Sequence, residues 1–194
     1  MERIAFKEWA IVCVALGRGE QSIILRKGGI AEGGEGFSFR HREFFLFPTF
    51  FHEQVEKTRL SGATVPERHE GEIELRFLAK LEMAKWITSP EIAEALAPLH
   101  ILKPEVVQER FQYDDVAGLH VAFVRIFRLQ PAWVLDDAKS FAGCRSWINL
   151  PASASEFNFQ SVLSESVHES KKKQFQEWTK EVAALPNECQ ARDG

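Results

Sequence analysis

Residues 22–54, SIILRKGGIAEGGEGFSFRHREFFLFPTFFHEQ, hold the pattern from which the fold is read. Ile23, Ile24 and Leu25 form a short β-branched and apolar run ending in Arg26 and Lys27, and Gly28 and Gly29 close it, as expected of a strand. A second apolar run, residues 44–47, is stopped by Pro48, which has no N–H to donate to a ladder. Five glycines in residues 27–36 predict a mobile flap between the two strands. The basic triplet Arg40, His41 and Arg42 leads into the second strand, with Phe37 and Phe39 interleaved. Cations beside flat rings suit a ligand that has both phosphate and base. Arg26, Lys27, Arg40, His41 and Arg42 are therefore the candidate nucleic-acid contacts, with Phe37 or Phe39 stacking on a base.

The same stretch excludes several chemistries. Its glycines lack the Gly-Lys-Ser/Thr end of a P-loop, and no helix opens directly after them as a dinucleotide fingerprint requires. Thr49 can cap a short helix to residue 59, which places His52, Glu53 and Gln54 at a helix start. His52 and Glu53 are candidate acid–base residues, and His52 or Gln54 a candidate hydrogen-bond partner for a base edge. HEQVE is not HExxH, because Glu56 stands at the second ligand position, so no metal is expected. No cofactor motif is present. Glu72, Glu74, Arg76 and Lys80 depart from a nuclease pattern of acid and Glu-x-Lys and suit the solvent face of a strand better.

Composition bounds the rest. The chain has 194 residues, 16 Phe, 5 Trp and a single Tyr, enough for one sizeable core. A net charge of −4 argues against coating a long polyanion. The imbalance is local: residues 60–119 carry 6 Lys/Arg against 11 Asp/Glu, whereas residues 1–59 carry 9 against 8. Three scattered cysteines without a CxxC pair suit a reducing compartment. Neither a signal peptide nor a run of ~20 apolar residues is visible, so a cytoplasmic protein with no membrane contact is expected.

Phe6, Trp9, Cys13 and Leu16 recur at helical spacing and predict a helix over residues 4–16, ended by Gly17 and Gly19. Residues 60–71 read as polar, turn-rich and disordered. Alternation of Ile73, Leu75 and Phe77 predicts one strand or two over 72–87, although part of this run also fits a helix. Ser89-Pro90-Glu91 and Pro104-Glu105 each open a helix. Residues 118–135 alternate as a strand, and 144–150 read as the last one. A long helix over 158–185 follows, with the run 171–173 on its solvated face. The fold class is α+β: a small mixed or antiparallel barrel flanked by helices over 1–152, with a C-terminal helix in 153–194 packed on it or extending from it.

FKEWAIVCVALGRGEQSIILRKGGI, HREFFLFPTFFHEQ and GCRSWINLP together resemble an uncharacterised bacterial domain-of-unknown-function family of about this length, and that resemblance implies a restriction–modification context. The run Gly19-Glu20-Gln21-Ser22-Ile23-Ile24-Leu25-Arg26 also resembles the opening of ASCH domains in the PUA-like superfamily. Gln21 stands where Lys is usual and Ile24 where an acid is, which speaks against carrying over an enzymatic activity. What this second resemblance implies is a PUA-like barrel binding RNA or a modified base in DNA. The alternatives are a hydrolase or nuclease acting on nucleic acid or modified nucleosides, and an accessory module whose C-terminal helix meets a protein partner.

Overall fold

The computed structural model describes residues 3–27, 37–60, 62, 64, 66–143, 145–153 and 156–182. Two long strands, β4 (Glu72–Ile87) and β5 (Leu119–Asp136), form its spine, antiparallel from Glu72 opposite Asp136 to Ile87 opposite Leu119. β3 (Glu43–Thr49) pairs with β4, β1 (Ile4–Trp9) lies parallel to β3, and β6 (Trp147–Asn149) ends the row beside β1. Because β4 runs along one edge of β5, β2 (Ile23–Arg26) and β7 (Asn158–Ser161) share the other edge, opposite residues 120–123 and 127–130. The sheet is mixed, with the order β2-β5-β4-β3-β1-β6 and β7 on β5. The expected barrel is thus corrected to a sheet whose end strands, β2 and β6, share no ladder among the described residues.

Both faces of the sheet are covered, which explains the unbroken apolar run Phe44–Phe47 of β3. On one face Phe6, Phe44, Leu46, Phe77 and Phe123 pack with α1 (Ala10–Gly17), α2 (Pro90–Ala95) and α3 (Pro104–Phe111). On the other, Ala5, Phe45, Leu75, Trp133 and Ile148 make a smaller core. Neighbours such as Ala5 and Phe6 divide between the two, as the pleat demands. α2 and α3 start as expected, with the Ser89 hydroxyl accepting the Ile92 N–H at 3.1 Å and Pro104 in the first turn of α3.

Several expectations are corrected. The helix over 4–16 is β1 followed by α1, since residues that pair with β3 and β6 cannot also coil. Pro48 does not stop β3, because it lies past the last β3–β4 pair, Phe45 with Leu78, where a missing N–H removes no bond of that ladder. Thr49 is not a cap; its hydroxyl donates to the Glu8 carbonyl at 3.1 Å, and only His52–Gln54 form a helical turn, of the 3-10 kind. The long C-terminal helix is β7 and then α4 (Glu165–Trp178), so β6 is not the last strand. α4 lies against the sheet through fully buried Phe175 and through His168, whose Nε2 is 3.0 Å from a Glu82 carboxylate oxygen. Lys172, expected in solvent, reaches the same carboxylate at 2.8 Å. No helix among the described residues is long and apolar enough to cross a membrane.

Candidate nucleic-acid interface

Arg26 stands at the free end of β2 and bridges the opening between the sheet's end strands. Its Nε and Nη2 donate to the Ser146 hydroxyl at 3.1 and 2.8 Å, and its guanidinium lies 5.6 Å from the Phe6 ring centre. Ser146 is held in turn, because its carbonyl accepts the Lys7 N–H at 2.8 Å. The next residue, Trp147, receives the basic triplet: the His41 ring lies 4.8 Å from it, and its indole N–H donates to the Ser38 carbonyl at 3.2 Å. Arg40 and Arg42, on either side of His41, are exposed. Arg26 and residues 38–42 therefore converge on the dipeptide Ser146–Trp147.

The other expected contacts are placed differently. Phe37 and Phe39 are 6% and 4% exposed and pack on Phe6 at 6.0 and 5.7 Å, so they are core rather than a stacking platform. Lys27 turns inward. Its ammonium meets the Asp114 carboxylate at 2.9 Å and the carbonyls of Gly118, at 3.1 Å, and Val116. Gln54 is fully buried; its Oε1 accepts the Ile11 N–H at 3.1 Å and its Nε2 donates to the Thr49 carbonyl at 2.6 Å, tying the start of α1 to the end of β3. His52 and Glu53 are exposed on the 3-10 turn. Among the described residues, His41, His52 and Glu53 do not gather into a metal-holding group. The expected glycine flap, residues 28–36, lies outside the described residues, as do residues 61, 63 and 65 of the expected disordered run.

The structure adds residues that the sequence did not single out. Arg110, in the last turn of α3, donates from Nη1 to the Leu25 carbonyl at 2.8 Å and lies 4.4 Å from the Trp9 ring. Burial pushes its guanidinium below its ordinary pKa; the nearby Glu8 carboxylate opposes that shift and the Arg26 charge adds to it. Glu8, 2% exposed, accepts the Trp9 N–H at 2.7 Å. His120 pairs across the ladder with Arg26, its ring 5.3 Å from Phe37 and 4.5 Å from Trp86. Burial, and then the Lys27 charge, lower its pKa to about 4, so the ring is neutral at pH 7. Ser146 and Trp147 did have a signal, since both lie in the GCRSWINLP motif. Glu8 likewise lies in the FKEW motif, whereas Arg110 had no signal, because tertiary packing alone brings it to the end of β2.

Other charges are accounted for by the surface. Glu74 pairs with Arg76 at 2.5 Å and Lys80 with Glu43 at 2.8 Å, which leaves the nuclease-like run as ordinary strand charges. A cleft of about 840 Å³ lies elsewhere, between α1, the first half of β4 and residues 60, 62, 64 and 66–69.

No curated protein matches the chain. Among solved structures it is similar to an ASCH protein from Zymomonas mobilis, at 9% identity and a TM-score of 0.48, covering 94% of this chain and 97% of that one. Two single-residue variants of the same protein match at 9% and 10% identity with TM-scores of 0.48 and 0.45, covering 93% and 94% of this chain and 96% and 100% of theirs. Likeness at this level transfers no residue and no activity. The family model for a domain of unknown function, DUF1802, matches residues 5–174, most of the chain, and the protein belongs to that family.

Proposed function

We propose that this protein binds nucleic acid at the opening between β2 and β6, recognising RNA or a modified base through a small basic patch. One observation supports this most: Arg26 and the His41 of the basic triplet both meet Ser146–Trp147, a dipeptide far from either in sequence. In this reading Arg26, Arg40 and Arg42 hold phosphates, and half-exposed His41 takes the stacking role first expected of phenylalanine. The Arg26–Ser146 bridge serves as the closure of a PUA-like arrangement. An overall charge of −4 favours local reading over coating of a backbone. The restriction–modification setting implied by the family resemblance would supply modified DNA as the alternative substrate to RNA.

Fluorescence anisotropy with labelled single-stranded RNA, hairpin RNA, and duplex DNA with and without modified cytosine tests the proposal. Binding is expected at low salt, weakening as salt rises, and falling on Arg26→Ala or Arg40→Ala. If no probe raises the anisotropy at low salt, the proposal fails.

A further inference from the structure

We infer that Arg110, rather than Lys27, is the cation that joins Arg26 in holding phosphate at the end of β2, and that Lys27 is a positioning residue that sets Arg110 beside Arg26. The inference rests on the nucleic-acid reading above and deepens it.

Lys27 follows Arg26 at the exit of β2, and by sequence position alone the two look like a pair of contacts. An ammonium has three hydrogens. Those of Lys27 face the Asp114 carboxylate and the carbonyls of Phe111, Val116 and Gly118, with the Trp86 ring 5.1 Å away. Reaching a phosphate would mean leaving a buried site already filled with oxygens. All four partners lie in residues 111–118, the last residue of α3 and the loop that leaves it. Arg110 immediately precedes that stretch, so the Lys27 clamp fixes the end of α3 against the end of β2.

Arg110 is placed differently. Its face rests on Trp9 at 4.4 Å, and among the described residues its hydrogen bonding is the single donation from Nη1 to the Leu25 carbonyl. A guanidinium carries five N–H groups in a planar fork, more than this one carbonyl takes up. The bonded carbonyl belongs to the residue next to Arg26, so two half-buried arginines share the end of β2, and the charge of one is felt by the other. Glu8 offsets one of the two charges. A phosphate beside the arginines would relieve the rest through charge-assisted hydrogen bonds. Two arginines bridged by an anion are a common way to hold phosphate, whereas an ammonium saturated with carbonyls is a structural clamp.

The number of phosphates a protein neutralises sets the slope of log Kd against log salt, at about 0.7 per contact on a single strand. The probe is a fluorescein-labelled 12-nucleotide single-stranded RNA of mixed sequence, with DNA of the same sequence alongside and full-length protein throughout. Arg110→Gln is expected to bind roughly tenfold more weakly, the loss of one charge-assisted contact, with the slope shallower by about 0.7. Asp114→Asn loosens the clamp without removing either cation, and is expected to weaken binding of the folded protein with the slope unchanged. Lys27→Met should do the same. A urea midpoint for each variant separates these effects from unfolding. The inference is overturned if Arg110→Gln keeps the slope, or if Asp114→Asn tightens binding and steepens the slope because Lys27 has been freed to reach phosphate. If the unmodified protein binds neither probe at low salt, the nucleic-acid reading itself falls, a distinguishable result.

Discussion

Gln54 separates a structural from a recognition role most sharply. Its amide is enclosed, and both ends are used: Oε1 on the Ile11 N–H at 3.1 Å and Nε2 on the Thr49 carbonyl at 2.6 Å. Ile11 lies in the first turn of α1, and the helix has no side-chain cap from its own flanking residue, so Gln54 satisfies a donor that would otherwise be orphaned. In Gln54→Ala that N–H sits buried and unpaired, at a cost of about 1–3 kcal/mol. The Thr49 carbonyl is only half-buried and can turn to water, so its loss adds less. With the packing of the side-chain stem included, about 2–3 kcal/mol of stability should disappear. For a urea slope of about 2–3 kcal/mol/M, the midpoint drops by about 1 M. Anisotropy on the RNA probe, measured well below that midpoint, should give an unchanged Kd. An unchanged urea midpoint with a weakened Kd would refute the reasoning and return Gln54 to the base-reading role.

Other expectations concern the frame around the site. Phe175→Ala should cost about 3–5 kcal/mol in urea unfolding, because the ring is fully buried 5.4 Å from Phe123. A loss under ~1 kcal/mol would mean that α4 is not anchored there. Gly17→Ala drives a methyl into the Phe77 ring and should destabilise by about 1–3 kcal/mol; a neutral result would contradict the close approach of α1 to β4. Arg125→Ala should change stability by no more than about 1 kcal/mol, since its partner Glu165 is exposed and solvent screens the pair. Burial lowers His100 to about 3 and His120 to about 4, with the Arg59 and Arg110 charges adding at His100 and Lys27 at His120. Both fall below the ordinary histidine value of 6.5, so the unfolded chain takes up protons first and stability declines as pH drops through 6.5. Glu82 and Asp114 are lowered from 4.5 and 3.8, so their contributions fade only below those values. Unfolding midpoints between pH 6.5 and 5 thus isolate the histidines. A flat response in that window would show that the rings are not buried as neutral groups.

Sequence signals were strongest where local punctuation and periodicity coincided. β2 closes on glycines, α2 opens on Ser89-Pro90, α3 opens on Pro104, and β5 alternates, so each was visible without tertiary knowledge. β1 was hidden because Phe6 and Trp9 happen to continue the stripe of Cys13 and Leu16, and a strand covered on both faces shows no alternation. β7 is hidden for the opposite reason. Asn158–Ser161 has one apolar residue, and only its ladder with residues 127–130 makes it a strand. For the site, the basic residues were legible and their partners were not. Arg26 and Ser146 are 120 positions apart, and Arg110 and Leu25 are 85 apart. Local charge also gave no means of telling Lys27, clamped by carbonyls, from Arg40 and Arg42, exposed to solvent.

The central claim is that Arg26 and the triplet at residues 40–42 form one phosphate-binding surface. Its most direct test is the salt dependence of RNA binding for the unmodified protein, Arg26→Ala, the double variant Arg40→Ala/Arg42→Ala, and Arg76→Ala, a surface arginine paired with Glu74, as the control. Slopes shallower by about 0.7 for the single and about 1.4 for the double variant, with the control unchanged, are the predicted result. Equal slopes for all four proteins, or no binding at low salt, would contradict it.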